Sequence, residues 1–351
     1  MDDGGKEKGR MLQIANEQEL ISRYLHQDSQ LNFHQFLTMI QIENDEISNL
    51  PLAVQFLRQT TSETDLRLAL EFCYMNFCYD ELTYFIEKNE NSLHSLNQKY
   101  ALFYQLMLEI QQGKSPQKIR SCVRSIHCDH PELLCLKYLV LIEVDLSIHH
   151  FHRIGTYINK IQQILVQLDH PLLISFLQVR IQILNFLYYW KKNELILARK
   201  YAYQFLQMPF HIKQKAKIHL QLAYTYIYED MDSSLYHLQE AEKIATQMED
   251  YMLLQQLTDK VYPFICAHFG ITKGVSTEDK LEKAHLEIVK GNVRKAISIL
   301  EKLPETTPFS PYYFGVATQA PNFFIQSYRN FIHTRSDHFF AKLPMMALES
   351  R

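Results

Sequence analysis

The first group of residues whose types could do chemistry resembles the end of a phosphate-binding loop, Gly113-Lys114-Ser115. Such a loop also needs a glycine five residues earlier, where this chain has Leu108. Pro116 stands where the helix of the loop should continue. We therefore interpret the triplet as a turn between two helices.

A second group could supply zinc ligands, because cysteine and histidine are common ligands of that metal. It comprises Cys122, His127, Cys128 and His130. Their spacing matches no common zinc finger, and half of them should face a helix interior. The chain also lacks G-x-S-x-G, H-E-x-x-H and related catalytic signatures. We expect no metal, no cofactor and no enzymatic activity.

The elements that position any binding residues are predicted to be helices. The 351 residues include only 9 glycines and 11 prolines, fewer turn residues than a sheet protein of this size needs. The net charge of −3 provides no global field towards DNA or an anionic membrane. The composition therefore favours an all-α fold.

Lys213–Gln247 is predicted to form two short helices folded back on each other. Leu222, Ala223 and Tyr226 form one stripe, and Leu235, Leu238, Ala241 and Ala245 form the facing one. Small residues let two helices approach closely. This pattern is typical of a degenerate tetratricopeptide repeat. Similar joins recur along the chain, so residues 49–351 are predicted to form a right-handed superhelix of tetratricopeptide-like hairpins.

Residues 1–48 are predicted to hold a leader and a small, partial helix-turn-helix-like region. In residues 1–50, four basic side chains stand against nine acidic ones, a net charge of −5. Neutralisation of DNA phosphates supplies most protein–DNA affinity, so an acidic DNA-binding region must place its few basic side chains at the phosphates. Arg10 and Arg23 are the predicted DNA contacts. First solenoid turns or a cap remain alternatives for this region.

The chain shows no signal peptide and no predicted membrane span, so we expect a cytoplasmic protein without a membrane partner. The most apolar run, Leu133–Leu146, is interrupted by charged residues. The six scattered cysteines are predicted to be buried thiols and not a disulfide framework.

The concave face of such a superhelix is the expected binding surface. An extended peptide laid there needs charged groups for its termini and amides for its backbone. Candidate residues are Lys191, Lys213, Tyr224, Ile227 and Asp337. The alternative interpretation is that each is a solvated side chain or part of the core.

The closing segment Asp337–Leu348 matches an Asp, aromatic, basic-Leu-Pro-Leu-Leu pattern. Together with Leu235–Gln247, Ala284-His285 and Tyr24-Leu25-His26 followed by Phe33 and Phe36, it resembles the arbitrium peptide receptors (AimR) of Bacillus phages and prophages. The resemblance runs from about Glu19 to Leu348.

The resemblance implies a cytoplasmic, homodimeric transcriptional regulator that binds DNA through its N-terminal helices. It implies that a short secreted peptide, returned to the cell, switches the protein and shifts the phage from lysis towards lysogeny. Two alternatives remain: a helical-repeat adaptor that has lost DNA or peptide binding, and a repeat-type phosphatase acting on a response regulator.

The resemblance also assigns peptide-contacting positions. The family's arginine corresponds to Lys213, two asparagines to Leu187 and Lys191, a third to Tyr224, and a glutamine to Leu281. The acidic position is retained as Asp337, and Ile227 and Phe340 complete the predicted set. Losing asparagines removes groups that bind a peptide backbone, at a cost of about 1 kcal/mol each. We expect a more apolar peptide or a lost ligand. The N-terminus looks shorter than the family's DNA-binding domain, and the family's final apolar helix looks absent.

Overall fold

A computed structural model describes residues 31–43, 46–304 and 307–350. The regular elements in these ranges are all helical. The α-helices are α1 (Phe33–Glu43), α2 (Glu46–Gln59), α3 (Glu63–Met75), α4 (Tyr79–Glu90), α5 (Ser95–Gln111), α6 (Pro116–Ser125), α7 (Pro131–Ser147), α8 (Ile154–Leu165), α9 (Pro171–Lys191), α10 (Leu195–Leu206), α11 (Ile212–Thr225), α12 (Met231–Gln247), α13 (Tyr251–Gln256), α14 (Tyr262–His268), α15 (Lys280–Val289), α16 (Val293–Leu300), α17 (Phe309–Thr318), α18 (Pro321–Arg329) and α19 (Lys342–Glu349).

Helices that follow each other in the chain pack as hairpins, which confirms the predicted all-α fold of paired helices. The best-packed pairs are α3–α4, α4–α5, α7–α8, α9–α10, α11–α12, α15–α16 and α17–α18. Because most of these contacts join neighbours in sequence, the architecture is a stack of repeats.

The α11–α12 hairpin forms where the sequence predicts it. Ala223, Ala241 and Ala245 are buried at the contact, so the two backbones come close. The Asp230 side chain caps α12 by accepting hydrogen bonds from the backbone amides of Asp232 and Ser233. The Ser234 hydroxyl donates to the Ala223 carbonyl at 3.0 Å and ties the second helix to the first.

Helix α9 lies between two hydrophobic cores. Leu177 and Ile181 face the core built from α1 to α8. Val179, Ile183 and Phe186 face the core built from α10 to α14 and from residues 331–343, which we call the C-terminal segment. By length and composition α9 could cross a membrane, but 61% of its apolar window is buried in the protein, as expected of a core helix.

The N-terminal described helix, α1, joins the first core. The Phe36 ring stacks on Phe56 with centroids 4.3 Å apart, and Phe33 meets Phe72 edge-on at 5.4 Å. The apolar residues from Phe33 to Ile40 recur at the spacing that predicts a helix, and the structure confirms this helix. The boundary at residue 48 stays a prediction. Arg10 and Arg23 lie outside the described residues.

Two predictions need refinement. The sequence from Tyr251 to His268 predicts one long helix, but a π-helical turn, Leu257–Val261, lies between α13 and α14. All six cysteines are free, but they are not all buried: Cys122 is exposed, and Cys78 and Cys128 are half-buried. The helix α6 is short and turns one side to solvent, so a thiol on that side cannot be covered.

Candidate functional site

The candidate site is organised around a buried ion pair between α9 and the C-terminal segment. Lys191, the last residue of α9, places its Nζ 2.8 Å from Oδ2 of Asp337. The two residues are 7% and 3% exposed. Burial lowers the pKa of Lys191, and the Asp337 carboxylate opposes that shift. The pair is therefore a low-dielectric contact and not a surface salt bridge.

Backbone hydrogen bonds fix Asp337 in this position. Its Oδ1 accepts from the Phe340 amide at 3.1 Å, and its own amide donates to the Phe331 carbonyl at 2.9 Å. The next amide, of His338, donates to the Lys191 carbonyl at 2.7 Å. The segment is thus attached to the end of α9 by both side chain and backbone.

Aromatic rings surround the pair. The Lys191 Nζ lies 3.8 Å from the Trp190 ring centroid and 4.7 Å from that of Phe340, which are cation–π distances. Tyr224 stacks on Trp190 at 6.0 Å and meets Phe340 edge-on at 5.6 Å. Burial raises the pKa of Tyr224 far above its usual value, so its hydroxyl stays protonated. We call Trp190, Tyr224 and Phe340 the aromatic wall.

A groove of about 180 Å³ lies beside the part of α9 that precedes the aromatic wall in the chain. Its lining includes Ile183, Leu184 and Leu187 of α9, so it follows one face of that helix. Gln111 and Gln214 provide amides, and charged residues complete the lining. The charged lining residues are Glu143, Arg180 and Lys217.

Arg180 is committed to internal partners. Its guanidinium lies 3.1 Å from a carboxylate oxygen of Glu71 and 3.1 Å from one of Glu143. The guanidinium carbon Cζ lies 4.6 Å from the Tyr74 ring centroid. Burial alone would lower the pKa of Arg180, but these carboxylates outweigh burial and raise it. Arg180 therefore joins α9 to α3 and α7.

Lys217 is the groove cation with the weakest internal partners. Its Nζ lies 3.7 Å from the Phe77 ring centroid, and no carboxylate of the described residues lies within ion-pair distance. Burial lowers its pKa, while the charges of Asp250 and Glu143 act against that shift. One turn earlier, Lys213 is half-buried near Cys78, where its charge opposes the burial that raises the thiol pKa to about 11. Lys217 lines the groove, and the positive charge of Lys213 acts on it from nearby.

The structure brings half of the predicted peptide contacts together. Lys191, Tyr224, Asp337 and Phe340 meet at the aromatic wall, and Leu187 lies one turn earlier on α9 in the groove. Ile227 is 1% exposed and belongs to the core behind the wall. Leu281 packs in a separate cluster with Tyr313, beside a different cavity. As ligand contacts all of these stay predictions.

Sequence reasoning missed Arg180 and Lys217. The available signal for Arg180 was a single arginine within the apolar sequence of α9. A larger cavity of about 470 Å³ lies between α12 and residues 257–276, with a mostly apolar lining. None of the eight predicted contacts, all of which are described, lines that cavity. We therefore place the candidate site at the groove and the aromatic wall.

These features define a helical-repeat protein with a charged and aromatic candidate site beside helix α9. Residues 49–350 match the AimR transcriptional regulator-like family, and the chain belongs to that family. It is a family of regulators and not of enzymes.

Solved structures show the same fold. A structure of phAimR with ligand has a TM-score of 0.79 and 18% identity, covering 91% of this chain and 97% of that one. A structure of selenomethionine-labelled phAimR has a TM-score of 0.63 and 17% identity, covering 100% and 96%. No curated protein sequence matches the chain.

Proposed function

We propose that this chain is a peptide-responsive transcriptional regulator of the arbitrium type, which binds a short communication peptide on the concave face of its repeats. In this proposal it acts in the cytoplasm of a bacterial host, binds DNA as a homodimer and sets the choice between lysis and lysogeny. The observation that carries the proposal is the convergence of Lys191, Tyr224, Asp337 and Phe340 in a chain of this regulator family. The likeness to phAimR with ligand adds support.

The groove has the groups that an extended peptide needs. The side-chain amides of Gln111 and Gln214 can bond to a peptide backbone, which presents both donors and acceptors. Lys217 and Lys213 can take the terminal carboxylate, because neither has a carboxylate within ion-pair distance among the described residues. The apolar side chains of the peptide would then lie towards Leu187 and the aromatic wall.

A peptide in this position would act on both halves of the molecule. The C-terminal segment contacts the first core, because the Phe151 amide donates to the Arg335 carbonyl at 2.9 Å. It also contacts the second core, because the Tyr228 hydroxyl donates to the Phe339 carbonyl at 3.0 Å. A ligand that prefers one arrangement of this segment therefore shifts the relative position of the two cores. In a dimer, such a shift changes the distance between two DNA-reading heads.

Calorimetry tests the peptide half of the proposal. The probes are short synthetic peptides cut from small secreted reading frames adjacent to the gene, with scrambled versions as controls. Saturable binding of one peptide and not of its scrambled form is expected. Lys217→Gln should weaken that binding about tenfold or more, because a charge-assisted hydrogen bond is lost. The exposed Lys200→Gln variant is the matched control, and equal effects of both variants would argue against the groove.

One observation favours the second candidate, an adaptor without peptide binding. Asp337 and Lys191 already satisfy each other, and Phe339 and Phe340 fill the space beside them. Gel shifts with the promoter region of the chain's own gene separate the two functions. Specific retardation at moderate salt would exclude the adaptor, whereas no retardation together with flat calorimetry would support it.

A further inference from the structure

The Asp337 carboxylate has a complete set of partners within the protein. One oxygen accepts a hydrogen bond from the Lys191 ammonium at 2.8 Å, and the other accepts one from the Phe340 amide at 3.1 Å. The residue is 3% exposed. A carboxylate buried to this degree needs a cation beside it, because burial without one is costly. Here the chain itself provides that cation.

The Lys191 ammonium is confined to this position. Three rings surround it, with centroids 3.8 Å away for Trp190, 4.7 Å for Phe340 and 5.1 Å for Phe151. The Lys191 carbonyl accepts the His338 amide, so the backbone is held to the same segment that carries the carboxylate. The carboxylate and the three rings together hold the ammonium in this position.

We propose that Lys191 is an internal counter-ion that occupies the cation position opposite Asp337, so that the peptide accepted by this chain carries an uncharged side chain at that point. The inference rests on the proposed function for its ligand and on the ion pair for its chemistry. A cationic ligand group would meet an ammonium of the same sign at a carboxylate that is already paired. The neighbouring surfaces, Leu187 and Tyr224, suit an apolar or aromatic side chain instead.

Chemical rescue tests the counter-ion without any peptide. Lys191→Ala removes the atoms that n-propylammonium contains, so that ion can refill the space. In this variant n-propylammonium should raise the melting temperature saturably, on the order of 2 °C at ten times its Kd, and 1-propanol should not. The control variant is Lys192→Ala, the exposed neighbour, which should not respond, and neither should the unchanged protein. An equal response in Lys192→Ala, or none in a folded Lys191→Ala protein, would overturn the assignment.

A second pair of variants covers the case in which Lys191→Ala does not fold. Lys191→Met leaves the carboxylate unpaired, whereas Lys191→Met with Asp337→Asn removes both charges and nearly keeps the volume. The double variant should be the more stable of the two, since it buries no isolated charge. A double variant no more stable than Lys191→Met would contradict the proposal.

Peptide selection tests the ligand. A pool of synthetic hexapeptides that carry either Arg or Leu at each position in turn is passed over immobilised protein. The unchanged protein should retain the Leu-containing peptides, and Lys191→Ala should shift retention at one position towards Arg by about tenfold. Preferential retention of Arg peptides by the unchanged protein would refute the inference. Retention of no peptide by either protein would refute the proposed function, while the rescue experiment would still decide the role of Lys191.

Discussion

Replacing Arg180 by methionine should lower the free energy of unfolding far more than the replacement of a charged residue on the surface. The guanidinium is 4% exposed and lies 3.1 Å from both Glu71 and Glu143, which are 0% and 16% exposed. At an effective dielectric constant of about 20, Coulomb's law gives about 5 kcal/mol of attraction for each contact. The desolvation of three charged groups opposes this attraction. Removing one partner of such a buried set costs about 3–5 kcal/mol, because the remaining charges stay buried and unpaired.

Urea unfolding at pH 7 measures the effect. With an m-value of about 3 kcal/mol/M, the midpoint should fall by about 1 M or more for Arg180→Met. The matched control is Arg58→Met, which breaks an ion pair to Glu81 of good geometry, at 2.7 Å, that lies on the surface. That change should cost no more than about 1 kcal/mol, because solvent screens the pair. Equal midpoints for the two variants would refute the argument that burial sets the strength of the Arg180 contacts.

Two further predictions concern packing and pH. Gly155→Ala should destabilise the protein by about 1–3 kcal/mol, because its new Cβ would lie 2.5 Å from the Tyr188 ring. Thermal unfolding measures this loss, which should be smaller when the same substitution is made in a Tyr188→Leu variant. Burial, with the nearby charges of His219 and Arg199, lowers the pKa of His237 from its usual 6.5 to about 4. As the pH falls below about 6.5, the unfolded chain therefore takes up a proton that the folded chain does not, and stability falls towards pH 4 by about 1 kcal/mol per pH unit. Urea midpoints from pH 7.5 to 5 should decline less in His237→Gln, and an unchanged slope would contradict the assignment.

Local patterns were sufficient to predict most helices and their joins. The sequence predicts a loop at Gly270–Thr277, which lies between α14 and α15, and a turn at Gly291, which lies between α15 and α16. These features depend on glycine, on proline and on the spacing of apolar residues, all of which act over a few positions. The α11–α12 hairpin was predictable for the same reason, since its two stripes are adjacent in sequence.

The partners within the site were not predictable from the sequence alone. Lys191 and Asp337 are separated by 146 positions, and Arg180 lies 109 positions from Glu71. No short-range pattern pairs such residues, because their contact depends on how many repeats are stacked between them. The resemblance to the receptor family placed both Lys191 and Asp337 at the ligand, but it gave no sign that they would bind each other.

The two faces of α9 limit how this chain can be divided. A stack of helical repeats ordinarily tolerates the gain or loss of a repeat, because each unit contacts only its neighbours. Here the central helix completes the core on either side of it, and the C-terminal segment returns to its end. A rearrangement that split the gene within residues 171–191 would leave each fragment with an open core. The protein is therefore expected to be inherited and exchanged as one unit, although its sequence is built from repeats.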